Sequence, residues 1–303
     1  MLLKCLQKLS SVVKILNGQQ KYVVKQHIFC RFAVMKHILL ANGCQVAVHF
    51  SENAVNAKAI PLVLLHGFCE DSSLWGAFLP QLKEIPVIMI DLPGFGQSDL
   101  PTAPDIATYA QAVLSVLDSL EVKQCMLVGH SLGGYVALEF SARWGERLVG
   151  MGLFHSHPFP DNEERKMARM RGVEMLRSGK RDLYVSQLFP NLFSPAFAQS
   201  HPEVVNDMIK TGKKQSPEGI VSALLAMSTR QDHQQTLKDI ACPVLLLLGA
   251  EDGLIPVDQG WQAALLPTVA SIEIMPGVAH MGMFEAPDKS AAVLQGFYSQ
   301  CVY

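Results

Sequence analysis

Charge is scarce in this chain. Asp, Glu, Lys and Arg make up 17% of its 303 residues, while apolar residues make up 49%. Such a composition excludes extended disorder and calls for a large core. The net charge of −2 leaves no basic excess to meet a phosphate backbone, which argues against a nucleic-acid partner. No Cys-x-x-Cys pair occurs, and the seven cysteines (Cys5, Cys30, Cys44, Cys69, Cys125, Cys242 and Cys301) are scattered and odd in number. That usage fits reduced thiols and a cytoplasmic setting rather than a disulfide framework. Internal repeats and low-complexity tracts are absent. The stretch Asp91-Leu92-Pro93-Gly94-Phe95-Gly96 holds a Gly-x-Gly without a third glycine at dinucleotide spacing, so it does not read as a nucleotide-binding turn.

Acidic residues are missing altogether from residues 1–51, which hold Lys4, Lys8, Lys14, Lys21, Lys25, Arg31 and Lys36. That segment carries +7 and the remainder of the chain −9. Leu2, Leu6, Leu9, Val13 and Leu16 recur at helical spacing before Asn17-Gly18, a helix stop. The stretch lacks the uninterrupted apolar run of a signal peptide or a transmembrane helix. Two readings of residues 1–34 stand side by side. They are a basic targeting segment, with membrane-surface contact confined to residues 1–17, or they precede the true start at Met35 and lie outside the fold.

From residue 35 onward the pattern is that of a folded domain. Residues 37–41 and 44–50 flank Asn42-Gly43 and read as a hairpin. Apolar strands then alternate with helical stretches, which implies a parallel sheet covered on both faces. Strands are expected near 62–66, 86–90, 125–129, 148–154, 243–248 and 271–275, and helices near 73–83, 106–119, 132–144, 257–265 and 288–299. The alternation breaks between 155 and 240. That stretch reads as helical, with helix starts at Pro160-Asp161-Asn162-Glu163-Glu164 and Ser216-Pro217-Glu218 and an apolar middle containing Leu183, Leu188, Phe189, Leu192, Phe193 and Phe197. The division expected is therefore a core over 35–154, a helical lid over 155–240 and the rest of the core over 241–303.

Gly129-His130-Ser131-Leu132-Gly133 carries the chemistry. It follows the apolar run Cys125-Met126-Leu127-Val128 and precedes the helical Gly134-Tyr135-Val136-Ala137-Leu138-Glu139-Phe140. A turn that tight between strand and helix tolerates only small residues at its glycines and pushes the Ser131 hydroxyl outward, beside a helix N-terminus that favours negative charge. Asp252 lies just past the strand Pro243–Gly249, and His280 follows the strand Ser271–Met275 on the loop Pro276-Gly277-Val278-Ala279-His280. Both therefore belong at the carboxyl edge of the sheet, where open α/β sheets bind ligands. The loop His66-Gly67-Phe68 follows an early strand, Pro61–Leu65. His155 and His157 form a His-x-His pair, but no third ligand accompanies them at metal-binding spacing, so they read as loop histidines lining a pocket.

These motifs, in this order, resemble the α/β-hydrolase superfamily from about Lys36 to the C-terminus. The likeness rests on Leu65-His66-Gly67-Phe68, Asp91 through Asp99, Gly129 through Gly134, Gly249-Ala250-Glu251-Asp252 and Gly277-Val278-Ala279-His280. It is greatest to the lidded esterase, lactonase and carbon–carbon-bond hydrolase group. The resemblance implies an α/β fold, with a mostly parallel sheet flanked by helices and a helical lid insertion. It also implies a catalytic triad of Ser131, Asp252 and His280, with an oxyanion hole from the Phe68 and Leu132 N–H groups. Glu251, Asp258 and Asp161 compete for the acid's place, and Asp252 alone combines the strand-end position with the family spacing from Gly249. His66, His130 and the Asp91 loop take structural parts in that family. Phe68, His155, Phe159, Phe189 and Phe193 are the expected substrate-pocket residues, though most apolar lid residues are expected to pack the lid itself. Cys69 reads as a buried small hydrophobe. The implied activity is a cofactor-independent carboxylesterase, with no metal, acting on a small or medium apolar ester. The alternatives are a lactonase or carbon–carbon-bond hydrolase with the same triad, and a ligand-binding receptor with vestigial hydrolysis.

Overall fold

The computed structural model describes residues 34–54, 59–76, 78–82 and 84–302; of the basic extension only Val34 is among them, and residues 1–17 lie outside the described residues. The hairpin opens the fold. β1 (Val34–Leu39) and β2 (Gln45–Phe50) pair antiparallel, and Gly43, at φ +84°, supplies the left-handed residue of their turn. β2 continues antiparallel onto β4 (Val87–Ile90), which lies beside β3 (Leu62–Leu65). From β4 onward every pairing is parallel, through β5 (Cys125–His130), β6 (Leu148–Phe154), β7 (Val244–Gly249) and β8 (Ala270–Met275). The spatial order β1-β2-β4-β3-β5-β6-β7-β8 puts β3 and β5 at the centre, and both are buried along their whole length. Continuous apolar runs suit strands covered on both faces, and each aliphatic side chain fully buried there contributes about 1.5–3 kcal/mol.

Helices α1 (Ile106–Ser119) and α2 (Leu132–Trp144) cover the first half of the sheet, with Asp105 capping α1 by accepting the Thr108 N–H. A helix expected near 73–83 is instead two short 3-10 turns, Ser72–Trp75 and Leu79–Gln81. Pro80 sits in the first turn of the second and cannot continue a helix from upstream. Between β6 and β7 lie α3 (Glu163–Arg177), α4 (Arg181–Leu188), α5 (Pro195–Ser200), α6 (Pro202–Lys214), α7 (Pro217–Ser228) and α8 (Gln234–Asp239). Asn162 and Ser216 cap α3 and α7 at the two expected starts. After β7 come α9 (Val257–Ala264), the short α10 (Gly282–Glu285) and α11 (Pro287–Val302).

The inserted helices form a lid fastened on two sides. On one side Gln215 accepts the Gly96 N–H at 2.8 Å and donates to Asp71 at 2.9 Å, while Gly219 of α7 lies so close that an added Cβ would stand 2.0 Å from the Gly94 carbonyl oxygen. On the other, Leu192 accepts the His280 N–H at 2.9 Å, and the Ser194 N–H donates to Glu285 at 2.9 Å. Among the described residues no helix is long and apolar enough to cross a membrane.

Candidate active site

The end of β5 turns into α2 through Ser131, whose backbone sits at φ +49°, ψ −110°. That conformation is costly for a residue with a side chain and needs a surrounding structure that enforces it. Three glycines do so. A Cβ on Gly129 would lie 2.1 Å from the Gly133 carbonyl, one on Gly133 would lie 2.5 Å from the Leu65 oxygen, and one on Gly134 would lie 2.4 Å from Ser156. The Ser131 N–H bonds to Phe154 O at 3.0 Å, and its carbonyl accepts from Ser156 Oγ at 2.9 Å. Its hydroxyl does not cap α2, so it stays available at the turn.

His280 and Asp252 meet at a neighbouring part of the same sheet edge. His280 Nδ1 lies 2.7 Å from Asp252 Oδ2, and both side chains are buried. The other Asp252 oxygen accepts the Leu254 and Ile255 N–H groups at 2.8 and 3.0 Å. Burial opposes ionisation of Asp252, but the His280 and His155 imidazoles outweigh it and hold the carboxyl well below the usual carboxylate range. An ionised Asp252 fixes the proton of His280 on Nδ1 and leaves Nε2 as a base. Ser131 and His280 line one cavity of about 220 Å³ under the lid.

Beside this pair runs a second polar chain. The buried Glu70 accepts the Gly67 N–H at 2.7 Å and lies 3.1 Å from His130 Nδ1, and His130 Nε2 lies 2.9 Å from the His280 carbonyl. Burial raises the Glu70 pKa and lowers that of His130, yet the attraction between them prevails, with Glu70 shifted down and His130 up. The pair ties the loop after β3 to the His280 loop. His66 serves that loop too, through Gly67 O at 2.8 Å and the Leu92 N–H at 2.9 Å. Phe68 stands on the same loop, its ring edge-on to Phe95 and Tyr184. Leu132 opens α2, and the first N–H groups of a helix have no partner within it. Asp91 is a structural hub: it accepts the Ser72 and Gln97 N–H groups at 2.8 and 3.0 Å. Cys69 is fully buried, which pushes its thiol well above the ordinary range.

Of the residues expected to line a substrate pocket, Phe68 is on the wall of this cavity and His155, Phe159, Phe189 and Phe193 are not. His155 lies behind Asp252 rather than in front of it. Its Nδ1 is 3.2 Å from Asp252 Oδ2 and its Nε2 accepts the Gly282 N–H at 3.2 Å. Nδ1 is also 3.2 Å from the Gly249 N–H, but the carboxylate is the stronger partner and keeps the proton on Nδ1. Burial pushes His155 down to about 4, so the ring is neutral. Phe189 is fully buried against Val185 and Gly212, and Phe193 stacks on Phe197 at 5.5 Å. The Phe159 carbonyl is held by Arg230. Phe189 and Phe193 thus go to the lid's packing, while the lid residues Leu188, Leu192, Leu224 and Met227 line the cavity. Asp161, an early rival for the acid, binds Arg169 and Arg230 instead. Among the described residues His155, Asp252 and His280 are the one group of ligating side chains close enough to hold a cation, and their facing atoms bond one another; His157 is not among them. The cavity wall also includes Tyr135, Arg165, Arg169, Tyr184 and Met227, none anticipated. Arg165 and Arg169 at i, i+4 share one helix face, and that spacing was the available signal.

Comparison with known proteins adds the lineage. The model of the alpha/beta hydrolase family matches residues 62–293. The chain is 28% identical over 243 residues to the biotin biosynthesis bifunctional protein BioHC of Cellvibrio japonicus, covering 78% of this chain and 47% of that longer protein. It is 24% identical over 283 residues to the 2-hydroxy-6-oxononadienedioate/2-hydroxy-6-oxononatrienedioate hydrolase of Paraburkholderia phymatum, covering 88% of this chain and 96% of that one. The structure of a thermophilic esterase from Thermogutta terrifontis superposes with a TM-score of 0.82 at 26% identity, over 89% of this chain and 100% of that chain. A strained serine turn between β5 and α2, a helical lid after β6 and a family match across most of the sequence converge: this chain belongs to the alpha/beta hydrolase family.

Proposed function

We propose that the protein is a serine hydrolase of carboxylic esters that works through an acyl-enzyme. Ser131 attacks the carbonyl while His280 takes its proton, then returns it to the leaving alcohol. Asp252 orients the imidazole and stabilises its charged form. The Phe68 and Leu132 N–H groups receive the oxyanion, an electrostatic contribution that is usually the largest single one. Water activated by His280 then releases the acid. The observation that carries this reading is the 2.7 Å contact of His280 Nδ1 with an ionised, buried Asp252, on a ring that shares a cavity with the strained Ser131. No cofactor enters the scheme.

A lactone is a cyclic ester and opens by the same attack. A ketone activated for carbon–carbon cleavage is a second reading, supported by the relative named for hydrolysis of an oxo-dienedioate. Purified protein is expected to turn over short-chain and medium-chain 4-nitrophenyl esters many times, and Ser131→Ala is expected to lose at least about a thousandfold in kcat. Intact turnover in Ser131→Ala would refute the nucleophile. Ligand-induced stabilisation without turnover on any ester would move the protein to the receptor class.

A further inference from the structure

The lid-side wall of the cavity carries more positive charge than its own residues neutralise. Arg165 and Arg169 both line it, and Arg230 lies behind, 4.1 Å over the ring of Tyr135. One buried carboxylate, Asp161, serves Arg169 through both oxygens and Arg230 at 2.6 Å. Arg165 is left with uncharged neighbours: Leu254 O at 2.5 Å and His157 Nε2 at 3.3 Å. His157 Nδ1 already accepts the Phe159 N–H at 3.1 Å, so the neutral ring carries its proton on Nε2 and offers Arg165 no lone pair. Burial first, and then the three guanidiniums, push His157 down to about 3, against the opposing pull of Asp161. The other carboxylate on the wall, Glu70, is taken by His130 and the Gly67 N–H.

We infer that the cavity selects substrates with a second, anionic end: an ester or lactone whose acyl part carries a carboxylate, bound by Arg165 while the other carbonyl faces Ser131. The inference rests on the serine-hydrolase reading above. A guanidinium fork matches a carboxylate with paired N–H donors, and at a site partly shielded by the lid such a bond outweighs a neutral contact. Much of the remaining wall is apolar (Phe68, Tyr184, Leu188, Leu224, Met227), which suits a short methylene chain. Arg169 adds to the field without giving up Asp161.

The test compares mono-4-nitrophenyl succinate, glutarate and adipate with the isosteric 4-nitrophenyl butyrate, pentanoate and hexanoate. At low salt the best-fitting half-ester is expected to exceed its neutral counterpart about tenfold in kcat/KM, chiefly through KM. The ratio is expected to fall to about one in Arg165→Gln, to persist in part in Arg165→Lys, and to shrink in wild type as salt screens the pair. A ratio at or below one at every chain length, or one unchanged by Arg165→Gln, overturns the inference while Ser131-dependent hydrolysis of the neutral esters leaves the hydrolase reading standing. If neither series is turned over, the hydrolase reading fails, and thermal stabilisation decides the anion site. Glutarate raising the melting temperature more than pentanoate in wild type but not in Arg165→Gln upholds it, and equal effects of the two acids overturn it.

Discussion

At Ser131, the proposed nucleophile, the chain stores backbone strain. Its φ of +49° survives because Gly129, Gly133 and Gly134 let β5, α2, the β3 loop and Ser156 close around it. The clash at Gly129 is with backbone, which cannot rotate away. Gly129→Ala is therefore expected to cost about 3 kcal/mol or more, read as a lowered unfolding midpoint in denaturant. His155 makes a prediction of the opposite kind, about protons. Its pKa of about 4 in the fold lies below the ordinary 6.5 of histidine. Above pH 6.5 the ring is neutral folded or unfolded, and its contribution is complete. Between about 6.5 and 4 only the unfolded chain takes the proton, so stability declines as pH falls, by about 1.4 kcal/mol per pH unit for one proton. In His155→Gln that slope is expected to flatten, as measured by denaturant unfolding at pH 7, 5.5 and 4. An equal slope in both proteins would show that the ring does not stay neutral. His130, whose pKa is raised, acts in the reverse sense at higher pH and is common to both proteins.

Among the elements, the central strands were legible because continuous apolar runs of four to six residues leave few alternatives to a doubly covered strand. The segment 73–83 was not: its apolar residues suggested a helix, and the interruption by Pro80 decided against one. Within the lid the caps at Asn162 and Ser216 were readable from local chemistry, whereas the direction of each apolar side chain was not. Phe189 and Phe193 sought the interior before the pocket, and Arg165 and Arg169 look like a solvated face until α3 is seen over the cavity. Sequence order places Asp252 and His280 at strand ends, but the second imidazole on Asp252 comes from His155, just past β6, and its bond to the acid has no signature along the chain. The lid's seat on the core is testable through Gly219. A methyl group there meets the Gly94 carbonyl, so Gly219→Ala is expected to push α7 off the loop after β4. Melting temperature should fall, and ester KM should change more than in Ser228→Ala, at the far end of the same helix.

For the whole molecule, the described fold begins with β1 at Val34 and closes with α11 at Val302. A chain starting at Val34 is expected to keep the melting temperature and the ester kinetics of the full sequence. A loss of more than about twofold in kcat/KM, or a fall in melting temperature, would give residues 1–33 a part in the fold. Binding of each form to anionic and neutral lipid vesicles would separate a membrane-contacting segment from an irrelevant one, since basic residues add about 1 kcal/mol each near an anionic surface.

The bond from His280 N–H to Leu192 O has an evolutionary consequence. The lid does more than shape what enters; one of its carbonyls holds the backbone of the residue proposed as the base, and Glu285 clasps both sides of that seam. Trimming the insertion would then disarm the molecule rather than broaden its diet. New specificities are open to it through the surfaces of α3, α4 and α7, while the few residues around Leu192 must stay put for any of those descendants to turn over a substrate at all.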